Sequence, residues 1–311
     1  MITFHSGPPP KGFKPDFESF LFNTKAHRIL QTKIGWVEFH LMQPRTKRIL
    51  VSAYFNISNT KARSPFRAPF GSFEMTSQLQ PKKFYDFVLF LETEIKKIGV
   101  DEIEILCPPE LYMPNQPLIS TTLISQKYSM TQAEPGCCVR VDKNPMMDKM
   151  RPNKKNTLRQ AIQAGLSYKT LSLAEINDVY HFLENCRREK NQRLSMTLAE
   201  LKKTIEAIPQ SFFLTGVYLN NQMIAASICI RINQSIVYTF YSGHIQQFNN
   251  LSPLVFLLSN LYDWCFQHGV SLLDLGTSAL DGKPNFNLLD FKLRLGGTLT
   301  PKYRFHKILK P

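Results

Sequence analysis

His268-Gly-Val-Ser-Leu-Leu-Asp-Leu275 decides how this chain is read, because Ile98-Gly-Val-Asp-Glu-Ile-Glu-Ile105 repeats its design in the first half. Gly99 and Gly269, Val100 and Val270, and Glu104 and Asp274 fall at one constant offset. Each copy follows a long helical pattern that a glycine ends, and each continues as a short apolar strand carrying one carboxylate. Strand-like runs precede that helix in both halves. Self-similarity of this kind points to a duplicated fold.

Working outward through the second half, Phe212 to Leu219, Met223 to Ile230 and Ser235 to Tyr241 alternate apolar and polar residues. Asn220-Asn221 and Asn233-Gln234 punctuate them, which predicts a three-stranded antiparallel meander. Ser252 can cap a helix with Pro253 at its first position, running to about Gln267. A buried strand is expected at Ser271 to Leu275, a short helix at Phe286 to Leu295, and a final strand at Tyr303 to Leu309. Upstream lie a basic helix from Lys154 to Ala164, a strand from Ser167 to Leu171, and helices over Leu173 to Lys190 and Thr197 to Ile208.

The first half opens on a Pro/Gly-rich arm to about Lys14, expected to be irregular. Strands follow at Trp36 to Met42 and Arg48 to Ile57, then a basic loop from Arg63 to Gly71. A helix is predicted at Pro81 to Ile98, with Phe84, Phe87, Val88, Leu91, Ile95 and Ile98 on one face. Short strands at Ile103 to Cys107 and Cys137 to Val141 complete it. Asp142 to Arg151 has no periodicity, so two units are expected, residues 15–142 and 148–311.

Composition sets the class. Of 311 residues, 43% are apolar and 20% charged, which excludes a disordered or collagen-like chain. No uninterrupted apolar run is long enough to span a bilayer, and Met1 to Phe20 lacks the apolar core of a secretory peptide. The six cysteines show neither metal-ligand nor disulfide-framework spacing, so no metal is expected and a reducing cytoplasm is the expected compartment. Thirty-eight Lys and Arg against 24 Asp and Glu give a net charge of +14, which suits an anionic partner. Lys143 to Lys169 holds seven basic residues and only Asp148 as an acid. After Asp290 no acid occurs, while Lys292, Arg294, Lys302, Arg304, Lys307 and Lys310 follow. No basic motif interleaved with aromatics is present, so sequence-specific DNA binding is not expected.

The order of helices, meander, helix, buried strand, short helix and closing strand resembles the Gcn5-related N-acetyltransferase (GNAT) fold. A tandem pair of such units resembles the FemABX family, which transfers amino acids from aminoacyl-tRNA, and the FemAB-like acetyltransferases. The residues that carry the resemblance are Lys154-Lys-Asn-Thr-Leu-Arg159-Gln-Ala-Ile-Gln-Ala-Gly165, Asn249-Asn250-Leu251-Ser252-Pro253-Leu254, Leu272-Leu-Asp274-Leu-Gly276 and Phe291-Lys292-Leu-Arg294-Leu-Gly-Gly297. It implies an α/β protein of two tandem GNAT-like units, each a mixed, mostly antiparallel sheet flanked by helices. The first is expected to be a degenerate copy, since Glu104 has no Phe-Lys signature after it. The second is expected to be an acyltransferase acting on an amine, with acyl-CoA, acetyl-CoA or aminoacyl-tRNA as donor. One departure is plain: Gln246-Gln-Phe-Asn-Asn-Leu-Ser252 has no glycine where the GNAT pyrophosphate loop has several. A duplicated fold that binds an anionic ligand without turnover is the alternative.

Direct acyl transfer needs a nucleophilic amine, a polarised carbonyl and a path for the proton, and no covalent nucleophile. The donor is expected between the end of the strand at Tyr241 and the helix start, with its anionic part near Asn250, Leu251, Ser252, Pro253 and Leu254. Asp274 and Lys292 are charges among apolar neighbours, where each requires a partner. Asp274 is expected either to take the acceptor's proton or to bond nearby amides. Lys292 is expected to hold an anionic group of donor or acceptor, and His244 to orient the acceptor or shuttle a proton.

Overall fold

The computed structural model describes residues 2–280 and 282–309, so Lys310 of the basic C-terminal run lies outside the described residues. The chain divides into two units: residues 1–134 with 300–311, and residues 135–299. They are not consecutive halves, because the last strand returns to the first unit.

In the first unit the strands are β1 (Thr3–Ser6), β2 (Lys14–Pro15), β3 (Trp36–Gln43), β4 (Arg48–Ser58), β5 (Lys61–Ser64), β6 (Phe73–Met75), β7 (Glu102–Leu106) and the start of β8 (Ser129–Arg140). Its helices are α1 (Lys25–Gln31), α2 (Pro81–Lys97) and α3 (Gln116–Ser125). β1 pairs antiparallel with β3, so the arm is a strand from Thr3 to Ser6 and not irregular throughout. Its four residues alternate inward and outward, too short a run to be distinguished from a loop by pattern alone. β3 pairs with β4, and β4 then pairs with both β5 and β6. Nine residues, 64–72, stand opposite two of β4, so β5 and β6 are one strand interrupted by a loop. α2 lays Phe84, Phe87, Val88, Leu91 and Ile95 on a core with Phe39, Leu41, Val51, Phe55, Phe73, Ile103, Ile105 and Phe305. Ile98, expected on that face, is 53% exposed, because the helix ends at Lys97 and Ile98 leaves the helical repeat as its C-cap. α3 was not legible because its apolar residues favour no single face.

The second unit begins within β8 and holds α4 (Met146–Lys149), α5 (Pro152–Gln163), β9 (Ser167–Leu171), α6 (Ile176–Arg188) and α7 (Leu198–Ala207). The meander follows as β10 (Phe212–Leu219), β11 (Gln222–Arg231) and β12 (Ile236–His244). Then come α8 (Pro253–Gln267), β13 (Leu272–Thr277), the hairpin β14 (Ala279–Leu280) and β15 (Lys283–Pro284), α9 (Phe286–Arg294) and β16 (Thr298–Ile308). The sheet order is β8-β13-β12-β11-β10-β9, antiparallel except for the parallel pair β12–β13 that α8 connects. Val217, Ile224, Cys229, Val237 and Leu273 pack against Leu158 and Ala161 of α5 and Val255, Leu258, Leu261 and Tyr262 of α8. From Thr300 onward β16 belongs to the first unit, where it pairs antiparallel with β7 and neighbours β8.

The two units share a strand order. β3, β4, β5/β6, α2 and β7 correspond to β10, β11, β12, α8 and β13, down to a parallel pair of three or four positions after the crossover helix. Gly99 and Gly269 both end their helix at positive φ, +80° and +69°, which glycine adopts without steric cost. Val100 and Val270 are both buried. The difference lies in the third strand: β12 carries a one-residue bulge at Phe240, where its counterpart carries the long interruption.

Candidate active site

β12 and β13 pair at three positions only, Ile236 with Leu272, Val237 with Leu273 and Tyr238 with Asp274. The last link is side chain to backbone, Thr239 Oγ1 donating to Asp274 O at 3.0 Å. Beyond it β12 continues through the Phe240 bulge to His244, and among the described residues its edge toward β13 has no strand partner. Two parallel strands that part leave a wedge lined by backbone amides. The helix that connects them, α8, begins at the open end.

The start of α8 is built by backbone. Ser252 sits in the left-handed region at φ 49° and ψ 49°, and its side chain makes no capping bond. Its carbonyl instead accepts from Val255 N (2.9 Å) and Phe256 N (3.3 Å), so the side-chain cap expected from sequence is replaced by a carbonyl cap. Pro253 has no N–H, and the Leu254 N–H falls in the first turn, where no earlier helical carbonyl exists to receive it. Asn250 is exposed and Leu251 half-buried in the preceding 3₁₀ segment.

Asp274 and Lys292 are brought together by the turn that ends β13. Asp274 Oδ1 accepts the Gly276 N–H at 2.6 Å, and Lys292 Nζ donates to Gly276 O (2.9 Å) and Thr277 O (2.8 Å). Gly276 stands at φ +78°, and a Cβ there would lie 3.3 Å from the Tyr238 ring. The carboxylate and the ammonium thus clamp one tight turn from its N–H and C=O sides. Both are nearly sealed, at 4% and 6% exposure, which a charge tolerates only with partners. Burial pushes Lys292 down to about 8, opposed by the negative charge of Asp274. Burial raises the neighbouring thiols, Cys137 to about 11, with Lys292 acting in the opposite direction.

His244 lies at the far end of β12, away from that turn along the strand. One ring nitrogen, Nε2, is bonded to Asn249 Oδ1, while the buried Nδ1 has no hydrogen-bond partner among the described residues. Burial lowers its pKa, and the bond to Asn249 works against that shift. An imidazole in this state is neutral near pH 7. Tyr241 commits its hydroxyl elsewhere: it bonds Ser195 Oγ at 2.6 Å and accepts Met196 N–H at 3.0 Å, tying down the loop before α7.

Two further contributors, Thr239 and Arg187, carry no sequence signal, and a third, Gly297, is legible only as a helix stop and the end of the Phe291–Gly297 signature. Thr239 makes the last link between the parting strands. Gly297 lets α9 close on β8, since a Cβ there would meet Cys137 Sγ at 2.3 Å and Lys292 O at 2.8 Å. Arg187, at the end of α6, bonds Gln192 Oε1 at 2.9 Å and its charge reaches both Lys292 and Tyr241. Nothing local marks Thr239 or Arg187, because each acts across elements. Among the described residues no group of His, Cys, Asp or Glu could hold a metal ion.

Residues 149–287 match the acetyltransferase (GNAT) domain family. The crystal structure of FemX superposes with a TM-score of 0.68 at 11% identity, over 94% of this chain and 92% of that one. The C-terminal domain of a putative lysylphosphatidylglycerol synthetase from Agrobacterium fabrum gives 0.55 at 10% identity, covering 91% and 87%. L-PGS from Bacillus licheniformis gives 0.54 at 9% identity, covering 83% and 81%. No curated protein matches the sequence. Residues 149–287 therefore carry a GNAT acetyltransferase-domain match, and the chain shares the fold of FemX.

Proposed function

We propose that the second unit transfers an acyl or aminoacyl group from an activated donor to an amine. The observation that carries the proposal is the parting of β12 and β13 after three paired positions, with the first turn of α8 at the open end. Unpaired amides along β12 from Phe240 can polarise a donor carbonyl, and the helix start favours the donor's anionic part near Leu251 to Leu254. The residues present fit the phosphates of an acyl-CoA through the Leu254 N–H and the helix dipole. Without glycine in 246–252 they fit a close pyrophosphate cradle less well, so aminoacyl-tRNA stands beside acyl-CoA as donor.

In this reading His244 orients the acceptor at the end of β12, its Nε2 held by Asn249 Oδ1 and its Nδ1 sealed from substrate. Asp274 and Lys292 are positioning residues that hold the Gly276 turn at the wedge, with Lys292 and Arg187 supplying positive potential. The first unit serves as a structural copy: Gly71 of the interrupting loop donates to Leu106 O at the end of β7 (3.0 Å), in the place where β12 and β13 part. A binding module without turnover is the second reading, and the missing glycines favour it.

Mixing the full chain with a panel of acyl-CoA esters and charged tRNAs, each with small amines, tests the proposal by donor consumption. Release of thiol or deacylated tRNA that depends on amine supports transfer. Donor binding, seen as a raised Tm, with no consumption under any pairing would leave only the binding module.

A further inference from the structure

The hairpin β14–β15 and the first turn of α9 carry three large apolar side chains outward within nine residues. Phe286 is 72% exposed, Leu280 50% and Leu288 37%. They stand on ordered backbone. Ala279 pairs with Pro284 and Leu280 with Lys283, the Asn285 N–H closes on Ser278 O at 2.7 Å, and Asn285 Oδ1 caps the Leu288 N–H at 3.0 Å. Isolated exposed apolar residues need no explanation, but a knob of them held out by a capped turn does.

Its surroundings are cationic. Lys283 is exposed on the hairpin, whose sequence also holds the acid Asp281, so the excess of cations comes from α5. The start of α5 packs against α9: Lys154 Nζ lies 4.8 Å above the Phe291 ring, and the Arg151 N–H donates to Arg294 O at 3.0 Å. Pro152 to Gln163 contains Lys154, Lys155 and Arg159 and no acid. Asp290 on α9 is neutralised by Arg294 at 2.7 Å.

We infer that this knob and the basic face of α5 beside it form a docking surface for an anionic lipid bilayer. A nucleic-acid backbone would engage the cations and leave Phe286 and Leu280 in water. An apolar protein groove would take the knob and leave the cations uncompensated. An anionic interface takes both, apolar side chains at the acyl boundary and Lys and Arg among the headgroups. The hairpin leaves β13 immediately after Thr277 and returns through α9 to Lys292, so the docked knob is the segment nearest in sequence to the Gly276 turn. The inference stands apart from the transfer chemistry.

Sedimentation of the full chain with vesicles tests it, using phosphatidylcholine alone or mixed with roughly one-third phosphatidylserine. The chain is expected to bind the anionic vesicles, to ignore the neutral ones, and to dissociate as salt screens the headgroups. Leu280→Ser with Phe286→Ser should weaken binding by about tenfold or more without lowering Tm. Lys155→Glu with Arg159→Glu should weaken it by about fivefold or more per cation removed. No binding to anionic vesicles at low salt overturns the inference. So does equal binding to neutral vesicles, or binding that the Leu280/Phe286 variant retains in full, which would mark a plain polyanion surface.

Discussion

Replacing Lys292 by Met keeps the length of the side chain and removes the ammonium that clamps the Gly276 turn. Two opposing terms set the outcome. Gly276 O and Thr277 O each lose a charge-assisted bond, at 2.9 and 2.8 Å. Leaving such buried carbonyls unmet costs about 1–3 kcal/mol apiece. Against that, burial lowers the lysine from 10.5 to about 8. The charged form is therefore disfavoured by about 3 kcal/mol, which the methionine no longer incurs. The net expectation runs from a gain of about 1 to a loss of about 3 kcal/mol at neutral pH, at most a few degrees in Tm. The pH dependence is sharper, because it isolates the lysine. Its folded pKa lies below its unfolded value, so between pH 8 and 10.5 the unfolded chain holds a proton that the folded chain has released. Wild-type stability should rise across that window by up to about 3 kcal/mol, and the variant should lack this rise. Urea unfolding of both proteins at pH 7.5, 9 and 10.5, taken as a difference, reads it directly. Parallel profiles over the window would refute the burial of a charged Lys292 in this turn.

Three further outcomes are expected. Glu74, fully buried in β6 and accepting the Phe20 N–H at 2.6 Å, is raised by burial to about 7, so its contribution to stability is present below pH 4.5 and lost as pH rises through 7. Glu74→Gln should flatten that fall, worth up to about 3 kcal/mol in the wild-type-minus-variant difference, and a difference constant from pH 4.5 to 7.5 would contradict it. His244→Asn should lower turnover by about 10²-fold at an unchanged Tm, whereas Asp274→Asn should lower Tm and leave the folded fraction's turnover within a few-fold. The reverse pattern in melting and rate measurements would exchange the roles of the two residues. Gly297→Ala places a methyl against Cys137 Sγ and Lys292 O and should cost about 1–3 kcal/mol, with part recovered in the double variant with Cys137→Ala. Equal denaturation midpoints for Gly297→Ala and wild type would show that the contact is looser than drawn.

The elements were largely legible because their signals are local. Phe84, Phe87, Val88, Leu91 and Ile95 recur at helical spacing and do cover the first core. The alternation in Phe212 to Leu219 became β10 over the same residues. The candidate site was legible only in its parts. Asp274 and Lys292 are conspicuous in sequence as charges among apolar residues, and conspicuousness of that kind does not say what partner they have. The structure supplies it as one glycine turn, reached from a strand and from a helix sixteen residues later. Tyr241 ends the strand expected to border the donor, and its hydroxyl bonds Ser195 and Met196, partners distant in the chain that the sequence does not associate with it.

By itself the sequence determined the GNAT-like order of elements and the duplication, because helix stops, apolar periods and turn residues are properties of neighbours along the chain. Gly99 and Gly269 could be matched without knowing what either touches. Tertiary structure alone decided that β12 and β13 part after Tyr238, that β5 and β6 are one interrupted strand, and that β16 closes the first unit. Strand pairing and register are long-range choices, fixed by which apolar faces must be buried together, and a strand's own residues specify its face but not its partner.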